Sequence, residues 1–166
     1  MNYLNEIKNF NNLIFKKQNI FYLILIFVIF SLDRISKIKI LEDFNDEIYF
    51  VNNFLNLDLI WNIGIGFGFL STESTIIYNL VTLLIGSVVG ILIYVSLVSD
   101  NFDKLIYSII IGVATGNLFD RLYYKAVPDF IDLHYDNFHW FTFNVADIFI
   151  TIGILIFIMR GSFIRK

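Results

Sequence analysis

No cysteine occurs among the 166 residues, there is one proline (Pro128), only two histidines are present, and charged residues make up only 16%. The first absence excludes disulfides, thiolate metal sites, thiol nucleophiles and lipid attachment to a cysteine of this chain. Two histidines leave little for an imidazole-based metal or haem site, so no metal and no other cofactor is expected. A soluble domain carries about a quarter charged residues. The 15 acids exceed the 12 Lys and Arg, for a net charge of −3 and a pI near 5.2, which excludes nucleic acid as the main partner. What the chain does have is apolar bulk: 57% hydrophobic residues, 19 of them Phe, and a mean hydropathy of +0.71. That excess excludes disorder. The sequence reads as an integral membrane protein.

Charge-free runs locate the spans. Ser74 to Ser99 gives 26 residues between Glu73 and Asp100, more than the roughly 20 needed to cross. Leu105 to Phe119 gives 15, Ile20 to Leu32 gives 13, and Ile148 to Met159 gives 12. The last becomes 18 if its helix starts near Thr142 and carries Asp147 inside. Snorkelling of Lys16 and Lys17 and continuation through Ile35 lengthen the first. Four spans are predicted, at about 18–37, 74–99, 104–121 and 142–160. The first has a basic flank and a short apolar core, as a secretory signal does, but exits through Ile-Phe-Ser-Leu-Asp-Arg with no small-x-small cleavage site. It is read as a retained anchor.

Four spans put both termini on one side. Residues 1–19, 99–104 and 160–166 hold seven Lys/Arg and three acids, the other side five Lys/Arg and twelve acids. The positive-inside rule then makes both termini cytoplasmic. The pairs Gly86/Gly90 and Gly112/Gly116 are GxxxG motifs that let helix backbones approach closely. Residues 38–73 contain alternating stretches, Tyr49-Phe-Val and Leu55 to Trp61, which predict a few short strands forming an outer platform. Residues 121–143 are aromatic and suit the interfacial belt. The fold class is thus all-α membrane protein, a four-helix bundle with a small β-rich extracytoplasmic platform, in one domain.

Topology gathers the acids. Asp33, Asp120 and Asp147 fall at the outer ends of three different spans, and Asp129 lies in the return between the last two. A carboxylate costs roughly 2.5–3.5 kcal/mol at a membrane helix centre and less toward the interface, so it faces protein or a water-filled cavity. Asn117, Asp120 and Arg121 share a helix face, as do Asn144, Asp147 and Thr151. For Asp33 with Arg34 and Lys37, and for Asp120 with Arg121, the plainer reading is an ion pair anchoring a helix end. Asp147 has no Lys or Arg within ten residues, and Asp129 has only Lys125 nearby. Those two point to chemistry. Two carboxylates held together in low dielectric share one proton. One can then deprotonate water while the other protonates a carbonyl, hydrolysing an amide without nucleophile or metal.

Other motifs are weaker. Asp132, His134, Asp136 and His139 are spaced as loop ligands could be by chance, and are set aside as a metal site. Ser71 and Ser74 lack a nucleophile-elbow pattern. Gly64, Gly66 and Gly68 do not match a nucleotide loop. Residues 62–69 read instead as a tight turn beside a substrate groove.

Five blocks in order over about residues 20–160 carry a resemblance: Asp33-Arg-Ile-Ser-Lys37, Asn62-Ile-Gly64 followed by Phe67-Gly68, Gly116-Asn-Leu-Phe-Asp-Arg121, Pro128-Asp-Phe130, and Phe143-Asn-Val-Ala-Asp147. Together they resemble the lipoprotein signal peptidases (signal peptidase II), four-span aspartic proteases of bacterial inner membranes. The resemblance implies that Asp129 and Asp147 are the catalytic pair. It implies supporting or substrate-binding roles for Asp33, Lys37, Asn62, Gly64, Asn117, Asp120, Arg121, Asn144 and Ala146, with Asp120 paired to Arg121 or Lys37. The implied reaction is removal of prolipoprotein signal peptides before a diacylglyceryl-modified cysteine, near the outer leaflet. Membrane lipids and globomycin-type inhibitors are implied partners, and a monomer suffices. Pro128 departs from the family's usual aliphatic residue; it fixes its own φ and holds Val127 extended. The alternatives are a small transporter or channel subunit, or a non-catalytic assembly factor using the glycine faces.

Overall fold

A computed structural model describes residues 13–43, 48–64 and 74–164, with backbone alone for 161–164. Among these residues the chain forms α1 (Lys17–Asp43), β1 (Tyr49–Asn52), β2 (Leu55–Asn62), α2 (Thr75–Val98), α3 (Asn101–Tyr123), β3 (Val127–Tyr135), β4 (Phe138–Phe143) and α4 (Val145–Ile164). Helices α1, α2 and α3 are each long and apolar enough to cross a bilayer. At 1.5 Å per residue, the 27 residues of α1 span about 40 Å. This helix runs past the expected end at 37 because Lys37 does not mark a membrane boundary. It turns inward and is fully buried.

α3 is the hub and packs against all three other long helices. Half of its apolar window is buried (50%), against 17% for α1. The two GxxxG pairs differ. A Cβ on Gly112 would come within 2.7 Å of the Ile29 side chain and 3.0 Å of the Ile26 carbonyl, and one on Gly116 would strike the Asp33 carboxylate. Those glycines let α1 lie directly on α3. In α2, a Cβ on Gly86 would meet Leu118 at an ordinary 3.8 Å and one on Gly90 would meet nothing within 4 Å. The expected close approach therefore holds at α3 and not at α2. A two-residue link, Ser99-Asp100, turns α2 back into α3, and the Asp100 carboxylate caps α3 by accepting from Phe102 and Asp103 N–H.

The four strands form one antiparallel sheet in the order β1-β2-β3-β4. Among the described residues, the expected platform at 38–73 supplies β1 and β2; β3 and β4 come from the segment read as an aromatic belt. The start of β3 is buried on both faces, Val127 through Phe130 alike, so it lacks the alternation that marks a half-exposed strand. Pro128 pairs with Trp61 of β2 and has no β4 residue on its other side, because β4 ends at Phe143, which pairs with Ile131. No β4 residue reaches the position where a proline N–H is missing. α4 accordingly begins at Val145, later than 142, because Phe143 belongs to the sheet. Register then places the acids: Ile131 opposite Phe143 sets Asp129, two residues earlier, beside Asn144 and the first turn of α4.

Candidate active site

Asn144 organises two carboxylates. Its side-chain amide donates to Asp129 Oδ1 at 2.6 Å, and its backbone N–H donates to Asp147 Oδ2 at 3.1 Å. Asp147 returns a backbone N–H to Asn144 Oδ1 at 3.3 Å. This reciprocal pair is a capping box at the head of α4, with Asn as cap and Asp three residues on. Residue 144 is therefore the helix cap rather than part of the helix face, and local helix chemistry fixes the Asp147 side chain. Asp129 Oδ2 accepts from Asn62 Nδ2 at 2.8 Å, and Asn62 Oδ1 accepts the Gly64 N–H at 2.8 Å. β2 thus holds the acid of β3. Asp129 is 2% exposed and Asn144 and Ala146 are fully buried.

The second carboxylate is tied to the ion network of α1 and α3. Asn117 Nδ2 donates to Asp147 Oδ1 at 3.4 Å, and Asn117 Oδ1 accepts from Lys37 Nζ at 2.5 Å. Lys37 also pairs with Asp120 at 2.8 Å and Asp33 at 3.0 Å, and Arg34 pairs with the other oxygen of Asp120. Asp120 takes Lys37, one of the two expected partners, and Arg34; Arg121 instead donates to the Gly64 carbonyl. The backbone carbonyl of Arg121 accepts from the Tyr78 hydroxyl at 2.9 Å. All eleven residues singled out in the sequence fall in this connected region.

A cavity of about 320 Å³ lies over the pair, with Asn62, Asn117, Arg121, Asp129, Asn144 and Asp147 in its polar lining. Ile85 of α2 and Ile150 and Ile154 of α4 line its apolar sides. Burial, reinforced by the negative charge of Asp147, pushes the Asp129 carboxyl up to about 6, while hydrogen bonds from Asn62 and Asn144 pull the other way. One carboxyl that keeps its proton beside another in a walled cavity is equipped for general acid–base chemistry.

A model of the signal peptidase (SPase) II family matches residues 25–163. The chain belongs to the signal peptidase II family. A lipoprotein signal peptidase of Pelagibacter ubique is 47% identical over 148 residues, covering 87% of this chain and 89% of the relative. Those of Anaplasma phagocytophilum (37%, covering 86% and 92%) and Thermodesulfovibrio yellowstonii (44%, covering 82% and 90%) are also similar. A solved bacterial membrane enzyme superposes with a TM-score of 0.69 at 26% identity, covering 85% of this chain and 87% of that one. The family cleaves signal peptides from prolipoproteins, so this multi-pass membrane protein is a hydrolase. The transporter and assembly-factor alternatives fall away. Of the signal peptidase II blocks, Phe67-Gly68 and the rest of the 65–69 turn lie outside the described residues.

Sequence reasoning did not single out Arg34 or Tyr78 as partners of these residues. Arg34 was given to Asp33 as a chain neighbour. Its position one residue after Asp33 on a helix turns it about 100° away, toward Asp120, a signal that the helical period does carry.

Proposed function

We propose that Asp129 and Asp147 are the catalytic dyad of a signal peptidase that cuts lipid-modified prolipoproteins before the diacylglyceryl cysteine. The observation that carries this reading is Asn144, which hydrogen-bonds both carboxylates at the cavity. The protonated acid donates to the scissile carbonyl oxygen while the ionised acid takes a proton from water, whose oxygen attacks the carbonyl carbon. In collapse the C–N bond breaks, the leaving amine takes a proton from one acid, and a hydroxyl of the tetrahedral diol returns its proton to the other as the carbonyl re-forms, which leaves the dyad with one shared proton. Asn117 and Lys37 orient Asp147; Asn62 orients Asp129. Arg121, held by Gly64, lies where a substrate backbone passes. Asp33 and Asp120 are structural, anchoring Lys37 and Arg34, and Ala146 keeps the head of α4 tight against the site.

The substrate is itself a membrane helix, so it reaches the cavity sideways. Ile85 on α2 and Ile150 and Ile154 on α4 support passage between these two helices, where an apolar signal peptide and acyl chains find matching walls. α4, with 20 residues and about 30 Å of length, is the fourth span. Both termini are cytoplasmic by the positive-inside balance, which puts the dyad at the outer leaflet of the bacterial inner membrane. One chain holds every group the reaction needs, so the enzyme works as a monomer, and globomycin-type cyclic peptides occupy the same cavity. The test is cleavage of a lipidated prolipoprotein peptide by the purified protein in lipid or detergent. Wild type cuts before the lipidated cysteine, and Asp129→Asn and Asp147→Asn, folded as judged by their melting profiles, do not. Unchanged cleavage by either variant removes that residue from the mechanism.

A further inference from the structure

On the sheet, three strands bring together polar side chains that the peptidase site does not use. Asp132 and His134 lie on one face of β3, His139 of β4 pairs across from His134, and Asn56 of β2 pairs with Asp132. Strand alternation turns this face away from the one that carries Asp129, three residues earlier. Asp132, His134 and His139 each offer a donor atom within 4.8 Å of the others. Asp132 Oδ2 is 2.8 Å from His139 Nδ1 and 4.0 Å from His134 Nδ1. The sequence reading set these residues aside as a chance spacing in a loop. Here three of the four converge because the segment is a hairpin; Asp136 sits in its turn with φ of 51° and takes no part.

The cluster is not satisfied by the described residues alone. His134 Nδ1 and Asn56 Oδ1 are buried with no hydrogen-bond partner among the described residues, and the His134 side chain is only 9% exposed. Buried polar atoms are nearly always paired. An acid–imidazole bond between Asp132 and His139 that simply pinned the hairpin would leave both atoms orphaned. The Asn56 amide donates to Asp132 Oδ2 at 3.3 Å, and a half-turn of that amide brings its oxygen to the cluster instead. Two imidazoles, a carboxylate and an amide carbonyl are the donor set of a borderline cation. Calcium and magnesium, which take oxygen ligands, fit poorly.

We propose that Asp132, His134 and His139, with Asn56 as fourth donor, bind one divalent cation of the zinc class, which clamps β2, β3 and β4 together. The proposal is independent of the dyad. The test takes the full chain in detergent, freed of any polyhistidine tag and stripped with chelator. Zinc is measured by equilibrium dialysis with elemental analysis, and cobalt by its visible spectrum. Wild type is expected to hold one zinc per chain and to melt higher with it, with a tetrahedral cobalt spectrum. His139 is half exposed, so His139→Ala leaves the fold intact. That variant and His134→Gln should each lose affinity on the order of 100-fold and lose the zinc-dependent rise in melting temperature. Asp129→Asn should bind zinc as wild type does, whatever becomes of cleavage. Substoichiometric binding by wild type, unchanged binding by both histidine variants, or loss of the metal in Asp129→Asn would each overturn the site.

Discussion

The two ends of the helix bundle treat charge in opposite ways. At the sheet end, Asp33, Lys37 and Asp120 are all but excluded from solvent, and each carboxylate meets a cation from α1. At the other end, Arg160 of α4 pairs with Asp100 and Asp103 while keeping 29% of its side chain exposed, and Asp100 keeps 56%. Both ends join helices with ion pairs. The buried set cannot lose a member without stranding a charge in low dielectric, whereas water takes over for the exposed one. A buried network costs desolvation, and what it provides at the sheet end is placement: Lys37 fixes Asn117, and Asn117 reaches Asp147.

The sharpest separation comes from the acids themselves. Asp129→Asn or Asp147→Asn should lower turnover about 10²–10⁴-fold, read as kcat on a lipidated peptide with KM nearly unchanged. Next, Lys37→Met leaves Asp33 and Asp120 sharing one cation and should cost about 3–5 kcal/mol, seen as a large fall in melting temperature in detergent. If Lys37→Met melts like wild type, the contrast between the two ends fails. Gly116→Ala drives a methyl into the Asp33 carboxylate and should cost about 1–3 kcal/mol. Gly90→Ala meets open space and should be neutral or stabilising by up to about 1 kcal/mol. Equal effects at the two glycines would refute the reading of α3 as the close-packed helix. The smallest change is expected from Arg160→Met at the exposed end, under about 1 kcal/mol and weaker still in high salt.

Acidity offers a different cut. Asp129 is raised from 3.8 to about 6, so it holds its proton below that range and loses it above. With one shared proton required, cleavage by the free enzyme should decline as pH climbs through this region. Asn62→Ala removes a hydrogen bond that favours the ionised form, which should carry the alkaline limb to still higher pH. A limb that stays in place in Asn62→Ala would show that Asn62 does not act through Asp129. The stability sign follows the same way. A raised carboxyl contributes stability fully below 3.8 and loses it as pH rises through about 6.

Much of this was written along the chain. Charge-free apolar runs, one of them longer than a crossing needs, the absence of cysteine, and two acids with few local basic partners led to the membrane class and to Asp129 and Asp147. The capping box at Asn144 and Asp147 is local as well, although its residues were read as one helix face. Strands β3 and β4 were not legible: the start of β3 is buried on both faces and shows no alternation, and β4 is apolar and aromatic at consecutive exposed positions, so neither has a period of two. The Asp33–Lys37 pair is an i,i+4 contact written in the sequence, but tertiary structure alone gave Arg34 to Asp120 and turned Arg121 to the Gly64 carbonyl. Asp120 lies more than eighty residues from both Arg34 and Lys37, and only the approach of α1 to α3 permitted by Gly112 and Gly116 brings them together. It also decided that Asp132, His134 and His139 converge, since the register of β3 against β4 is set by pairing. Composition and short-range spacing determine what must be buried; which buried groups meet depends on long-range packing.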